Sequence, residues 1–237
     1  DAATFTGTVL IAAEATESVS EIVVNAIELE IASVTVNGLT ASFTLHEESE
    51  RLIISADVAK GPCEIAIAFT GILNDKLRGF YQSTFTDDSG VLRTIATTQM
   101  QSTDCRRAFP CFDEPDFKAV FAIDLTIKSE FLAVSNSSET KREVLANGLT
   151  RIWFADTMIM STYLVAFVVG PLEATETEMV GDIAVRIIHV PGKSHLTEFG
   201  MRAGTFALDW FQTYYGVPYP SDKVDLLALP DFAAGAM

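Results

Sequence analysis

Carboxylates, histidines and thiols are the side chains of this sequence with chemistry to offer, and their spacing decides which chemistry. Asp113, Glu114 and Asp116 put three carboxylates within four residues. Such a cluster suits a metal ion or acid/base work. It also suits a tight turn: Pro110 and Pro115 fix the chain, and the acids can cap backbone N–H groups or pair with Arg106 and Arg107. The turn is the preferred reading. A zinc-peptidase helix needs histidines at i and i+4, so that both imidazoles reach one ion. His46, His189 and His195 lack such partners. His46 is followed by Glu47 but then by Glu48, Ser49 and Glu50, and reads as part of a solvated turn. His189 and His195 flank a Val-Pro-Gly turn and read as surface or packing residues.

The thiols offer little more. Cys63, Cys105 and Cys111 are an odd count without dense spacing, which argues against a disulfide-stapled scaffold. Cys105 and Cys111 lie six apart, with no second Cys pair and no nearby His. That disfavours a zinc ribbon, and nothing supports a Cys–His nucleophile. Buried thiols acting as small apolar groups are expected. No G-x-S-x-G elbow and no phosphate-cradling loop appears.

The elements that would position these residues are mostly strands. Period-two or β-branched runs predict strands over Thr4–Ala12, within Glu21–Val36, and over Arg51–Asp57 and Cys63–Gly71. Gly79–Thr86 and Val91–Thr98 read as a hairpin around Asp87-Asp88-Ser89-Gly90. Further strands are predicted at Lys118–Lys128, Phe131–Asn136, Thr150–Asp156 and Thr162–Val169. So many strands at short spacing imply an all-β sandwich or saddle. The period then changes. Leu196, Phe199, Gly200, Ala203, Phe206, Ala207, Trp210, Phe211 and Tyr214 recur at helical steps within Ser194–Tyr215, with Gly216 and Pro218 as stop signals. A strand at Ile183–Val190, this helix and a strand at Lys223–Leu229 resemble the opening of an α/β domain. The expected domains are therefore 1–177, all-β, and 178–237, the incomplete start of a second domain whose apolar faces need a larger partner.

Bulk properties narrow the function classes. The 237 residues are 49% hydrophobic and 20% charged, the composition of a globular chain with a sizeable core. A formal charge of −16 would repel phosphates, so nucleic acid is not an expected partner. The longest apolar run, Tyr163–Val169, is strand-sized, and no membrane segment is expected.

One stretch is far more specific than any of these patterns. Thr97-Thr-Gln-Met-Gln-Ser-Thr-Asp-Cys-Arg-Arg-Ala-Phe-Pro-Cys-Phe-Asp-Glu-Pro115 closely resembles a signature of zinc aminopeptidases of the aminopeptidase N and puromycin-sensitive type. Four other stretches agree in order: Leu73-Asn-Asp-Lys-Leu-Arg-Gly-Phe-Tyr81, Met160-Ser-Thr-Tyr-Leu-Val-Ala-Phe-Val-Val-Gly170, Tyr214-Tyr-Gly-Val-Pro-Tyr-Pro220 and Leu229-Pro-Asp-Phe-Ala-Ala-Gly-Ala-Met237. The resemblance covers the chain from about residue 20 to its last residue.

It implies a saddle-like all-β first domain followed by a thermolysin-like catalytic domain. It also implies that the chain is cut within the family's G-A-M-E-N motif, before the HExxH helix. The parent enzyme would remove N-terminal residues from peptides, using a zinc-activated water with the HExxH Glu as general base. This chain would bind no zinc and be inactive alone. What it would keep is part of the substrate cradle. Gln101 matches a residue that grips the peptide's free ammonium. Gln99, Ala234 and Met237 match walls of the first specificity pocket. Gly235 and Ala236 match backbone that lies along the substrate like an added strand. The expected partners are peptide N-termini and the rest of the catalytic domain, in the cytoplasm. Three positions depart from one or other subfamily: Gln101 stands where many puromycin-sensitive relatives carry Glu, Cys105 replaces the usual Ala, and Ala233 follows the puromycin-sensitive pattern. A stand-alone β-sandwich binding module and a scaffold piece docking through its helix are the less favoured readings.

Overall fold

The computed structural model describes residues 3–235. The strands are β1 (Thr4–Ala15), β2 (Val19–Asn25), β3 (Leu29–Val36), β4 (Leu39–Thr40), β5 (Ser42–His46), β6 (Arg51–Val58), β7 (Gly61–Ile72), β8 (Gly79–Thr86) and β9 (Leu92–Gln99). They continue as β10 (Asp124–Lys128), β11 (Leu132–Ser135), β12 (Glu139–Val144), β13 (Leu149–Phe154), β14 (Phe167–Gly170), β15 (Glu173–Ala174), β16 (Glu178–Val180), β17 (Ile183–His189) and β18 (Lys223–Ala228). One α-helix among the described residues, α1 (Glu198–Tyr215), precedes β18. The mostly β architecture read from the sequence is therefore present. Two compact units share the chain. The first gathers the stretch up to Gln82 with Thr98–Lys118 and Ser161–Val165. The second gathers Ser83–Thr97, Ala119–Met160 and the stretch from Ala166 onward.

In the first unit, β1, β7, β3 and β4 form one antiparallel sheet and β2, β6 and β5 another. β1 and β7 pair along their whole length, from Thr4↔Ile72 to Ala15↔Gly61. Alternation along β7 sends Cys63, Ile65, Ile67 and Phe69 inward, and the same period in β6 sends in Leu52 and Ile54. These residues join Val24, Val34 and Val36 in one core filled from both sheets, a sandwich in miniature. The expected run Glu21–Val36 divides into β2 and β3. Between them Ala26 N–H bonds to Glu50 O at 3.1 Å, and Glu28 takes φ 58, which ends pairing in both directions.

In the second unit, β10, β13 and β12 form one sheet and β11, β14, β9 and β8 another. A third contains β15, β17 and β16, with β18 parallel to β17 from Ala184↔Lys223 to His189↔Ala228. Lys118–Lys128 is not one strand. Only Asp124–Lys128 is extended against β13, while Ala119 makes an isolated bridge to Met160. Thr162–Val169 is interrupted as well. Thr162–Leu164 makes a 3-10 turn before β14, because the Thr162 and Ser161 hydroxyls bond away to Asp113 and to Pro115 O.

The helix begins later than expected: Ser194–Leu196 forms a separate 3-10 turn, and α1 starts at Glu198. It ends at Gly216 in the left-handed conformation. Its packed face differs from the expected stripe. Met201 and Leu208 meet Val185, Ile187, Val224 and Leu226, whereas Phe199 and Phe206 are 74% and 70% exposed. Glycine selects that face: a Cβ on Gly204 would sit 2.7 Å from Leu226 Cδ1. Phe211, Trp210, Tyr214 and Tyr215 stack among themselves on the open side.

Candidate substrate-binding site

The signature stretch starts on β9 and leaves it at Gln99. Strand alternation breaks there, and Thr97 to Met100 are all buried in sequence. Gln99 is 9% exposed, and its Oε1 is enclosed with no hydrogen-bond partner among the described residues. A buried amide oxygen in that state costs about 1–3 kcal/mol unless a ligand or water donates to it. Gln101 is exposed and begins a turn closed by Asp104 N–H to Met100 O at 2.9 Å; its peptide to Ser102 is cis. Gln99 and Gln101 thus stand two residues apart with opposite exposure.

Ion pairs hold this turn. The Arg106 guanidinium donates from Nε to Asp113 Oδ2 at 2.9 Å and from Nη1 to Glu50 Oε2 at 2.9 Å. Burial works against the Arg106 charge, but the bonds and charges of Asp113 and Glu50 keep its pKa above the usual arginine range. Arg107 pairs with Asp104 and Glu28 at 2.7 and 2.9 Å. Gly79 must be glycine beneath it, since its φ is +67 and a Cβ would lie 2.6 Å from Arg107 Cβ. Of the three clustered acids, Asp113 is buried and serves this framework, while Glu114 and Asp116 are exposed. The turn reading of the cluster holds for Asp113.

At the other end of the chain, Ala234 and Gly235 are exposed and free of regular structure, and a Cβ on Gly235 would meet nothing within 4 Å. Ala236 and Met237 lie outside the described residues. The segment is tied down by Asp231, whose carboxylate accepts Ser83 Oγ at 3.1 Å and Thr84 N–H at 3.4 Å on β8. Sequence reasoning did not single out Asp231; its place between Pro230 and the Ala-Ala-Gly run was the available signal.

The histidines do not converge. His46 is exposed at the end of β5, and His195 is exposed in the 3-10 turn before α1. His189 is buried, with its Nδ1 proton held by Val190 O at 2.8 Å. A catalytic zinc of the aminopeptidase kind therefore does not fit the described histidines. The grouping of metal-capable side chains present among the described residues is Cys105, Cys111 and Asp113, with all three ligand atoms within 4.8 Å of one another. All three cysteines are free and buried, as expected. Burial pushes the Cys105 thiol well up, and Cys111 and Asp113 push it further. No described helix is long and apolar enough to cross a membrane.

Comparison with known proteins gives these features a family. The Peptidase M1 N-terminal domain profile matches residues 1–164. Aminopeptidase 2 of Candida albicans is 37% identical over 238 residues, covering 99% of this chain and 26% of the relative. Aminopeptidase M1 of Arabidopsis thaliana is 38% identical over 252 residues, covering 100% of this chain and 28% of the relative. Endoplasmic reticulum aminopeptidase 1 of Homo sapiens is 39% identical over 176 residues, 74% of this chain and 19% of the relative. The chain spans about a quarter of the length of the first two relatives. Ordered motifs, a mostly β fold and this profile lead to one conclusion: the chain belongs to the M1 peptidase family, of which it carries the N-terminal domain.

Proposed function

We propose that this chain is the amine-end part of a zinc aminopeptidase that removes N-terminal residues from peptides in the cytoplasm. The observation that carries the reading is likeness to aminopeptidases along the whole chain, including the 70-odd residues beyond the profile match. Residues 178–237 then form the beginning of the thermolysin-like catalytic domain. The rest of that domain is the partner that covers the open aromatic side of α1, where Phe206, Trp210 and Tyr214 are exposed. Burying such rings is worth about 1.5–3 kcal/mol each, which favours a larger folded partner over solvent.

In this reading Gln101 accepts a hydrogen bond from the peptide's ammonium group through its amide oxygen. Gln99 lines the first side-chain pocket, and its unpartnered Oε1 supports a role as ligand acceptor. Ala234 and Met237 are further walls of that pocket, and Gly235 and Ala236 offer their backbone to the substrate, with the open space around Gly235 suited to close backbone approach. The zinc belongs to residues other than these, so the chain by itself binds peptide weakly and cleaves nothing.

The test uses the full-length protein of the parent gene. Alanyl and leucyl anilides with a free amine should be turned over and their N-acetylated forms should not. A chelator should abolish turnover, and zinc should restore it. Gln101→Ala should raise KM about tenfold or more, the worth of one hydrogen bond to a charged group. Equal turnover of free and acetylated substrates, or an unchanged KM in Gln101→Ala, would overturn the assignment.

A further inference from the structure

Between the two glutamines and Pro115, the signature stretch holds a group of side chains that peptide binding does not use. We infer that Cys105, Cys111 and Asp113 form a buried binding site for a thiophilic divalent cation of the zinc or cadmium class. The inference does not depend on the aminopeptidase reading, because every proposed ligand lies within nine residues of this chain.

Geometry comes first. The two Sγ atoms and a carboxylate oxygen all lie within 4.8 Å of one another. Zinc–sulfur bonds of about 2.3 Å in a tetrahedral site put two sulfurs about 3.8 Å apart, so each donor need move inward by no more than about 1 Å. The backbone around the thiols is held. Asn25 and Cys111 exchange N–H to O bonds at 2.7 and 3.1 Å, and Cys105 O accepts from Ala108 N–H at 2.8 Å and Phe109 N–H at 3.1 Å.

The carboxylate is oriented but not saturated. Asp113 Oδ1 accepts Thr162 Oγ1 at 2.6 Å, and Oδ2 accepts Arg106 Nε at 2.9 Å and Arg106 N–H at 3.3 Å. A carboxylate offers about four acceptor positions, so one remains after these three donors. Partners of this kind fix the orientation of a metal's ligand. The Thr162 hydroxyl adds a neutral oxygen beside it.

Charge closes the argument. Two thiolates and the Asp113 carboxylate carry three negative charges, and the Arg106 guanidinium, shared between Asp113 and Glu50, offsets only part of them. A divalent cation offsets two more, which favours its retention among buried ligands. Binding replaces two S–H bonds by two metal–sulfur bonds and releases two protons, with no change of oxidation state.

The experiment titrates cobalt(II) and cadmium(II) into the reduced, metal-free 237-residue chain and follows thiolate-to-metal charge-transfer absorption and proton release. One cation per chain, two protons per cation and a raised Tm are expected. Cys63→Ala should keep the band. Cys105→Ala, which installs the residue usual in the family signature, should lose it and weaken binding at least about 100-fold. Cys111→Ser, with circular dichroism confirming the fold, should do the same. Absence of a saturable band, or a band that survives in Cys105→Ala, would overturn the proposal.

Discussion

Replacing Asp113 with alanine should be among the most damaging single changes in the first unit. Its carboxylate side chain is 1% exposed and gathers three donors from two separate segments. Removing it leaves the Arg106 guanidinium, 12% exposed, with one charged partner, Glu50, and the main-chain carbonyl of residue 113. Breaking a buried pair from one side costs about 3–5 kcal/mol. The surviving Glu50 contact argues for the lower end, about 3 kcal/mol, and the orphaned Thr162 hydroxyl adds about 1 kcal/mol. A total near 4 kcal/mol lowers Tm by about 8–16 °C for a chain of this size. Urea titration by circular dichroism in reducing, metal-free buffer measures it. Thr162→Val alone should cost about 1 kcal/mol, and Arg106→Met added to Asp113→Ala should recover part of the loss, because no uncompensated cation remains. If Asp113→Ala costs no more than Thr162→Val, the carboxylate is not the hub of this turn and the charge argument fails.

Other outcomes test other parts of the molecule. Gly79→Ala should destabilise by more than about 1 kcal/mol in the same titration, since it meets both the positive φ and the Arg107 Cβ at 2.6 Å. The Glu139 carboxyl is held below the ordinary glutamate value of 4.5 by its hydrogen bond to Arg142, with burial opposing. That contribution is fully present above pH 4.5 and disappears as pH falls through the lower folded value. Wild type and Glu139→Gln should therefore differ by less than about 1 kcal/mol above pH 4.5 and converge in acid, as thermal melts across pH will read. Phe206→Lys on the open side of α1 should change stability by less than about 0.5 kcal/mol and reduce self-association of the isolated chain in analytical ultracentrifugation.

Period-two patterning was enough to read β6, β7 and β8, and helical spacing with the Gly216 stop was enough to read α1, because local backbone preference and one-sided burial write themselves into neighbouring residues. β12 escaped because all six of its residues are exposed, so it has no inward face to mark it. The break in Thr162–Val169 escaped because its cause, Asp113, lies 49 residues away. The Gln99–Gln101 pair could be named from motif order alone, yet burial of one and exposure of the other follow from how the chain leaves β9. The thiols are the sharpest case. In sequence, Cys105 and Cys111 are two unremarkable positions without a metal-site spacing. Sequence determined that these residues exist and that their segment turns between prolines. Only the tertiary structure decided that both thiols and one carboxylate lie buried within 4.8 Å of one another, because Asn25, Glu50 and Thr162, distant in the chain, supply the bonds that fold the segment onto itself.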